Sequence, residues 1–211
     1  MYIPEAFRVS DLPTLHEFIE RNSFGLLVSQ HDGSPFATHL PFLLERTSGT
    51  FGTLLGHVAR SNPQWEQLSD QRILVVFSGP HAYISPTWYD AELVVPTWNY
   101  VAVHAYGRVR LVESGDELFA IVRHSVEVYE QSMPRPWAIG EFDTFLERLL
   151  KQIVGFRIEI DRIEGKWKLG QNHAAERREK VIQVLEEQGD ENATAIAAMM
   201  RQRLADERGG R

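Results

Sequence analysis

The sequence of 211 residues contains no cysteine. Disulfide scaffolds, thiolate metal sites and cysteine nucleophiles are therefore excluded. Long hydrophobic runs are also missing, since stretches such as residues 73–77 fall far short of the roughly 20 residues that span a bilayer. Pro4, Glu5 and Arg8 interrupt the opening residues, which is not the pattern of a signal peptide. These absences predict a cytoplasmic protein that does not associate with membranes.

Several catalytic and nucleotide-binding motifs are absent as well. The sequence has no Walker A motif, no G-x-S-x-G, and no G-x-G-x-x-G after a strand pattern. Its eight histidines are scattered, without the H-E-x-x-H spacing of a zinc hydrolase. We predict no metal site, and no residue can be identified as catalytic.

The sequence has fewer basic than acidic residues, with 22 Lys and Arg against 29 Asp and Glu and a net charge of −7. A surface of this sign repels a polyphosphate backbone. The segment of residues 162–211 is close to neutral and offers no basic arm. DNA remains a possible partner that neither charge nor an evident helix-turn-helix supports.

The order of the predicted elements indicates the fold class. A capped helix begins near Ser10, and alternating strand patterns with dense turns follow, including a hairpin around Asp32-Gly33. Strands are predicted at 36–44, 72–77, 82–85 and 154–163, and helices at 116–129, 142–150, 176–188 and 194–204. Because strands and helices do not alternate, a doubly wound parallel sheet is disfavoured. We predict a mainly β (α+β) protein: an antiparallel barrel with flanking helices and a helical C-terminal tail.

Residues 56–65 (GHVARSNPQW) form the first candidate site, where a strand ends and a short helix begins. Arg60 offers a bidentate cation, Ser61 a hydroxyl and Asn62 an amide, a combination that suits a phosphate monoester. The alternative is structural: Ser61 or Asn62 caps the helix and Arg60 is solvated. The residues alone leave both interpretations open.

Two further segments are candidates for a site that holds a flat ligand. The run ISPTWY at 84–89 is echoed by VPTWNY at 95–100, with the tripeptide Pro-Thr-Trp in both. These residues could line a flat aromatic ligand, form a loop packed under its own side chains, or form a subunit contact. Residues 164–172 (EGKWKLGQN) follow the last predicted strand. They could form a rim over a bound aromatic or phosphate group, or simply an edge protected by lysines.

Together these segments resemble the PaiB family, described as FMN-binding negative transcriptional regulators. The opening Met1-Tyr2-Ile3-Pro4 with Phe7, then GHVARSNPQW, ISPTWY, VPTWNYVAVHAYG and KWKLGQN occur in the family's order, and the resemblance covers about residues 1–205. It implies a split β-barrel of the pyridoxamine-phosphate-oxidase type, a homodimer, and FMN as cofactor. The sequence departs from the family at Gly170, where a serine is usual.

The resemblance also implies which residues contact FMN. Arg60 and Ser61 match the positions that hold the phosphate. The full set of expected cofactor contacts is Thr38, His39, His57, Arg60, Ser61, Asn62, Trp98, Asn99, Lys168 and Gln171.

The resemblance further implies an FMN-binding split-barrel domain over residues 1–170 and a helical tail packed on it over 171–211. The expected function is negative regulation of transcription by a dimer. The alternative is an FMN-dependent oxidoreductase that acts on a small molecule, since flavin chemistry belongs to the cofactor. A third possibility is a flavin-free barrel that holds haem through His57 or His39.

Overall fold

The computed structural model describes residues 1–89, 94–140 and 144–209. Its strands are β1 Arg8–Val9, β2 Phe24–His31, β3 Ser34–Pro41, β4 Leu43–Glu45, β5 Thr53–Ala59, β6 Arg72–Ile84, β7 Thr97–Leu111 and β8 Ile153–Lys168. Its α-helices are α1 Leu12–Arg21, α2 Gly115–Glu130, α3 Thr144–Leu150, α4 Ala175–Gln188 and α5 Glu191–Gly209. Short 3-10 helices lie at Glu5–Phe7, Pro63–Asp70 and Pro86–Tyr89.

The strands form one sheet in the order β3-β2-β6-β7-β8-β5-β4, with β1 paired to β8. The registers of β1–β8, β2–β3, β2–β6, β4–β5 and β5–β8 are all antiparallel. The mainly β fold with an antiparallel sheet, flanking helices and a helical C-terminal tail is therefore confirmed.

The predicted hairpin is present as β2 and β3, closed by the two residues between His31 and Ser34. Asp32 has a φ of 51° and Gly33 a φ of 73°. A two-residue turn with both residues at positive φ matches the twist of the flanking strands, and Asp-Gly is a preferred sequence for it.

The chain divides into two compact units. The larger unit comprises residues 12–77 and 104–163, and the smaller unit comprises residues 1–11, 78–103 and 164–211. The predicted domain boundary at residue 170 stays a prediction.

Three aromatic rings form the centre of the larger unit's core. Phe42 packs against Phe77 and Phe156 with ring centroids 5.6 and 6.2 Å apart, and all three are buried. Gly56 makes room for this cluster, because a Cβ atom there would lie 2.8 Å from the Phe156 ring. The first residue of the candidate segment 56–65 is therefore fixed by core packing.

The smaller unit is built around the helical pair α4 and α5. Ile182 and Leu185 of α4 and Ile196 and Ala197 of α5 are buried. Helix α4 ends at Gly189, whose left-handed φ of 69° is the usual glycine C-cap. No helix within the described ranges has both the length and the apolar character needed to cross a membrane.

Three predicted strand boundaries are wrong. Residues 72–77 and 82–85 are parts of one strand, β6, although Gly79-Pro80 is a turn signal. Strand β6 pairs with β2 only from Leu74 to Val76. Pro80 lies outside this stretch, so its lack of an N–H group does not interrupt the hydrogen bonds to β2. The predicted strand 36–44 is two strands separated at Phe42, and β8 continues to Lys168 instead of ending at residue 163. The first two residues of the predicted helix 142–150 lie outside the described residues.

Candidate functional site

Residues 56–65 lead from the end of β5 into the 3-10 helix Pro63–Asp70. Asn62 caps that helix, because its Oδ1 accepts a hydrogen bond from the Gln64 backbone N–H at 3.0 Å. The sequence left open whether Asn62 caps the helix, and in the structure it does. Its side chain also reaches a neighbouring strand, since Nδ2 donates to Thr38 Oγ1 at 2.9 Å.

Gln64 connects this loop to the hairpin β2–β3 from a fully buried position. Its Oε1 accepts from Thr38 Oγ1 at 2.5 Å, and its Nε2 donates to Ser29 Oγ at 2.8 Å. Longer contacts of 3.3 Å join Nε2 to the carbonyl oxygens of Leu27 and Phe36. The Thr38–Asn62–Gln64 network therefore fixes the start of the 3-10 helix on the hairpin.

Arg60 is exposed but is not simply solvated. Its Nε donates to the Lys151 carbonyl at 2.8 Å and its Nη2 to the Ile153 carbonyl at 3.0 Å. The guanidinium also lies 5.8 Å from the Trp65 ring centroid, within cation–π range. These contacts set its direction, while Nη1 makes no hydrogen bond to the residues that the structure describes and can bind an anion.

The other candidates of the larger unit lie apart from this network. Ser61 is exposed and its hydroxyl bonds to none of the described residues. His39 is exposed on the opposite side of β3 from Thr38 and stacks on Phe24 at 6.2 Å. His57 is half-buried, and burial lowers its pKa, so the ring is neutral near pH 7.

Two of the predicted residues, Trp98 and Lys168, are in contact in the smaller unit. The ammonium of Lys168 donates to Thr97 Oγ1 and, at 2.8 Å, to the Trp98 carbonyl. Burial first, and then the nearby charge of Lys166, lower the Lys168 pKa. The Trp98 ring is half-exposed and packs against His81 and Tyr83, with centroids 5.6 and 6.0 Å away.

Asn99 points to the other side of β7 and is buried. Its Nδ2 lies 3.4 Å from the Met200 sulfur, a weak acceptor. Its Oδ1 is buried without a hydrogen-bond partner among the residues described. Asn99 and Lys168 line a cavity of about 360 Å³ together with Gly170, whose left-handed φ is 78°.

Gln171 closes a local turn. Its Nε2 donates to the Trp167 carbonyl at 2.6 Å and its Oε1 accepts from the Leu169 N–H at 2.8 Å. Both ends of the amide are therefore engaged with the backbone of the segment KWKLGQN. The structure brings Gln171 into the same segment as Lys168, but with its polar atoms turned toward the chain.

Gln64 was missed by sequence reasoning. It follows the Asn-Pro pair directly, and an amide in the first turn of a buried helix start can both donate and accept. Nothing local in the sequence indicated that it is buried, because Ser29 and Thr38 come from distant strands. His173 and Arg177, which line the cavity with Asn99, were also not predicted, whereas Tyr89 belongs to the predicted aromatic run of residues 84–89.

Similarity to solved structures shows the class of the fold. A flavocytochrome of Azotobacter vinelandii has a TM-score of 0.59 and 14% identity, with 76% of this chain and 69% of that chain covered. A Bacteroides thetaiotaomicron protein described as a putative 5-nitroimidazole antibiotic resistance protein has a TM-score of 0.56 and 14% identity, covering 75% and 85%. A FAD and haem binding protein of Mycobacterium smegmatis has a TM-score of 0.55 and 14% identity, covering 81% and 78%. These proteins share the fold of this chain, an antiparallel sheet with flanking helices.

The chain belongs to the family described as "Putative FMN-binding domain", whose model matches residues 1–162. Among curated proteins it is 39% identical to the "Protease synthase and sporulation protein PAI 2" of Bacillus subtilis over 206 residues, which is 97% of this chain and 98% of that protein. An uncharacterised protein of Aspergillus fumigatus is 28% identical over 254 residues, covering 96% of this chain and 97% of the relative. The resemblance to the PaiB family is confirmed.

Proposed function

We propose that this chain binds FMN and acts, as a homodimer in the cytoplasm, in negative control of transcription. The observation that carries the proposal is the match to PAI 2 of Bacillus subtilis along nearly the whole of both chains, within a family described as FMN-binding. The printed name of that relative refers to protease synthase and sporulation. The regulatory role is taken from this relationship.

The phosphate of FMN would be held by Arg60 and Ser61. Nη1 of Arg60 and the hydroxyl of Ser61 face no acceptor or donor among the described residues, and both are exposed. A guanidinium whose direction is set by two carbonyl contacts and a nearby Trp ring loses little freedom when an anion binds. The residues present therefore fit a phosphate monoester.

Thr38 and Asn62 would act mainly as positioning residues for that loop. Their side chains bond to each other and to Gln64, which leaves them less available to a ligand. His57 would present a neutral imidazole.

The remaining contacts are proposed from the family relationship. His39 and Trp98 offer exposed ring faces, and Asn99 and Lys168 offer an amide and a cation. For Gln171 a cofactor contact would require one of its two backbone hydrogen bonds to be replaced.

Bound FMN would supply hydride and single-electron chemistry at its ring. The protein groups would bind and orient it, and none is assigned as an acid or base.

The first experiment is a visible spectrum of the purified protein after FMN is added and the excess is removed by gel filtration. We expect retained flavin absorbance at one FMN per chain. Arg60→Ala should weaken FMN binding by about 1–3 kcal/mol, the usual range for a lost charge-assisted hydrogen bond. Arg46→Ala is the matched control, because Arg46 pairs with Glu20 outside the loop. Equal affinities for the two variants would contradict the phosphate assignment, and a protein that retains no FMN would contradict the cofactor.

A homodimer is supported by an exposed apolar sheet face on β2 and β6 in the larger unit. Leu26 and Val28 of β2 and Val76 of β6 are only half-buried there, and Phe24 at the end of β2 is 66% exposed. An apolar sheet face of this kind is stabilised by a second copy that covers it. The molar mass measured by light scattering should correspond to two chains, and a monomer at micromolar concentration would contradict the dimer.

A reductant and a DNA fragment distinguish regulation from small-molecule oxidoreduction. NAD(P)H that bleaches the bound flavin with multiple turnovers would favour the oxidoreductase. A flavin inert to NAD(P)H, together with a specific mobility shift on the chain's own upstream DNA at physiological salt, would favour the regulator. The net charge of −7 makes the salt control essential, because weak non-specific binding is lost as salt rises.

A further inference from the structure

Another cavity, of about 340 Å³, lies in the larger unit, and none of the expected FMN contacts lines it. Its walls come from the turn between β4 and β5, from the start of β5, and from the strands β7 and β8. The lining residues are Ser48, Gly49, Thr53, Arg108, Val109, Arg110, Arg157 and Glu159. Charged side chains therefore dominate this cavity.

Two of the three lining arginines are already paired with carboxylates. Arg157 is 22% exposed and donates to Glu45 through Nη2 and to Glu117 through Nη1, the latter at 3.4 Å. Arg110 donates through Nη2 to the same Glu117 oxygen at 2.7 Å. The hydrogen bond from Arg110, together with the charges of both arginines, holds the pKa of Glu117 below its usual value. Glu45 and Glu117 therefore balance the charges of Arg110 and Arg157.

Arg108 and Glu159 are the two charged lining residues that remain. Both are exposed, and neither side chain forms a hydrogen bond or ion pair with the residues that the structure describes. They lie close together on adjacent strands, because a Cβ atom at Gly107 would lie 2.2 Å from the Glu159 carbonyl oxygen. Opposite charges on neighbouring strands commonly form a cross-strand pair. Here they line one cavity without meeting.

The position of the Glu159 side chain explains this separation. A Cβ atom at Gly49 would lie 3.2 Å from Glu159 Cγ and 3.4 Å from its Oε1, so the carboxylate lies against the turn between β4 and β5. Glu159 is also the register partner of Thr53 on β5, and β5 and β7 lie on opposite sides of β8. The carboxylate of Glu159 therefore lines the β5 side of the cavity, whereas Arg108 belongs to its β7 side.

We infer that this cavity binds a small zwitterionic amino acid, whose carboxylate pairs with Arg108 and whose ammonium group pairs with Glu159. A guanidinium can bind a carboxylate through two parallel hydrogen bonds, and an ammonium group donates to a carboxylate. A simple anion would be repelled by Glu159 and a simple cation by Arg108, so a ligand with both charges fits best. The volume is within the range of small-molecule sites.

This site is separate from the expected flavin contacts, and binding of the amino acid does not depend on FMN. An effector role for the ligand would rest on the proposed regulatory function, whereas the binding itself would not.

Calorimetric titration of the full chain with 4-aminobutyrate, butyrate and butylamine tests this site. The three probes have hydrocarbon chains of similar length, and only the first carries both charges. We expect 4-aminobutyrate to bind about 3- to 5-fold more tightly than either of the others, the effect of one partly exposed ion pair.

Two substitutions test the two ends of the site separately. Arg108→Gln should weaken the binding of 4-aminobutyrate about 3- to 5-fold without weakening that of butylamine. Glu159→Gln should weaken the binding of 4-aminobutyrate to a similar extent without weakening that of butyrate. Arg21→Gln and Glu17→Gln are the matched controls, because these two residues form an exposed ion pair on α1 outside the cavity lining.

Four outcomes would overturn the inference. The first is the absence of binding by 4-aminobutyrate at millimolar concentration, and the second is equal affinity for all three probes. The third is equal binding of 4-aminobutyrate by Arg108→Gln and Arg21→Gln. The fourth is release of bound FMN in proportion to the added amino acid, which would make the cavity part of the flavin site. Because FMN retention is read separately from the visible spectrum, failure of FMN binding and failure of this site are distinguishable.

Discussion

Among the described residues, each unit contains one buried side-chain amide, and the two amides differ in how many of their polar atoms form hydrogen bonds. Gln64 of the larger unit is 0% exposed, and Asn99 of the smaller unit is 1% exposed. Gln64 pairs both ends of its amide, with Thr38 at Oε1 and with Ser29 at Nε2. Asn99 pairs only its nitrogen, and only with a sulfur, while its oxygen is left unpaired among the described residues.

This difference separates structure from candidate function. A fully paired buried amide stabilises one arrangement of the chain, because every alternative arrangement leaves polar atoms unpaired. A half-paired one lowers stability, and such a cost is commonly found where a ligand completes the contacts. Gln64 therefore acts as a structural link between the hairpin and the start of the 3-10 helix Pro63–Asp70, whereas the Asn99 oxygen has no such link among the described residues.

The largest effect is expected from Gln64→Leu. The substitution keeps the side chain's approximate volume but removes the amide's hydrogen bonds to the hydroxyls of Ser29 and Thr38. It also removes the longer contacts to two backbone carbonyls. We expect a loss of about 2–4 kcal/mol in the free energy of unfolding, since several buried polar groups lose a bond at once. Chemical denaturation followed by circular dichroism measures it.

Gln67→Ala serves as the control for Gln64→Leu. Gln67 lies in the same 3-10 helix, is only half-buried, and its amide bonds to Asp32 near solvent. Its loss should cost about 1 kcal/mol or less. If the two variants lose the same stability, the network does not fix the loop.

Local patterns predicted the parts of the fold that local sequence determines. The hairpin follows from Asp32-Gly33, whose positive φ values suit that turn, and α1 follows from its apolar spacing. The continuity of β6 could not be predicted, because Gly79-Pro80 resembles a turn. The short pairing with β2, which covers only Leu74 to Val76, is not visible in the local sequence. The predicted strand 154–163 ends too early for a similar reason, since Glu164-Gly165 interrupts the alternation of apolar and polar residues along β8.

The candidate site was predictable where a motif is contiguous. Residues 60–62 were identified together because they follow one another, and Asn62 does cap the helix that begins beside them. Gln64 is in the same motif, but its partners Ser29 and Thr38 are set by the register of the hairpin. Tyr89 and His173 are 84 positions apart in the chain, and only the packing of α4 near Pro86–Tyr89 explains their contact.

Asn99→Leu should have a much smaller effect than Gln64→Leu when no ligand is present. The change removes one weak contact to sulfur and also removes the unpaired oxygen, two effects of opposite sign. We expect the free energy of unfolding to change by less than about 1 kcal/mol. The same denaturation experiment measures it. A loss as large as that of Gln64→Leu would mean that Asn99 Oδ1 is paired in solution, and the contrast between the units would fail.

The smallest effect concerns one histidine from each unit. Burial alone lowers the pKa of His57, whereas the pKa of His173 is lowered first by burial and then by the charges of Arg177, Arg178 and Lys168. In both cases the unfolded chain binds the proton more readily than the folded chain. Each histidine therefore contributes stability that is present at pH 7, declines as the pH falls below the ordinary value of about 6.5, and stops declining below its folded pKa.

Added salt should change the pKa of His173 but not the pKa of His57. Raising the ionic strength to about 1 M shortens the Debye length to roughly 3 Å, which screens charges but does not change burial. The pKa of His173 should therefore rise, and that of His57 should stay constant. Imidazole resonances followed by NMR over pH 4–8 at low and high salt measure both values, with His173→Gln and His57→Gln identifying the signals. Equal movement of the two would mean that the charges of Arg177, Arg178 and Lys168 do not act on His173 in solution.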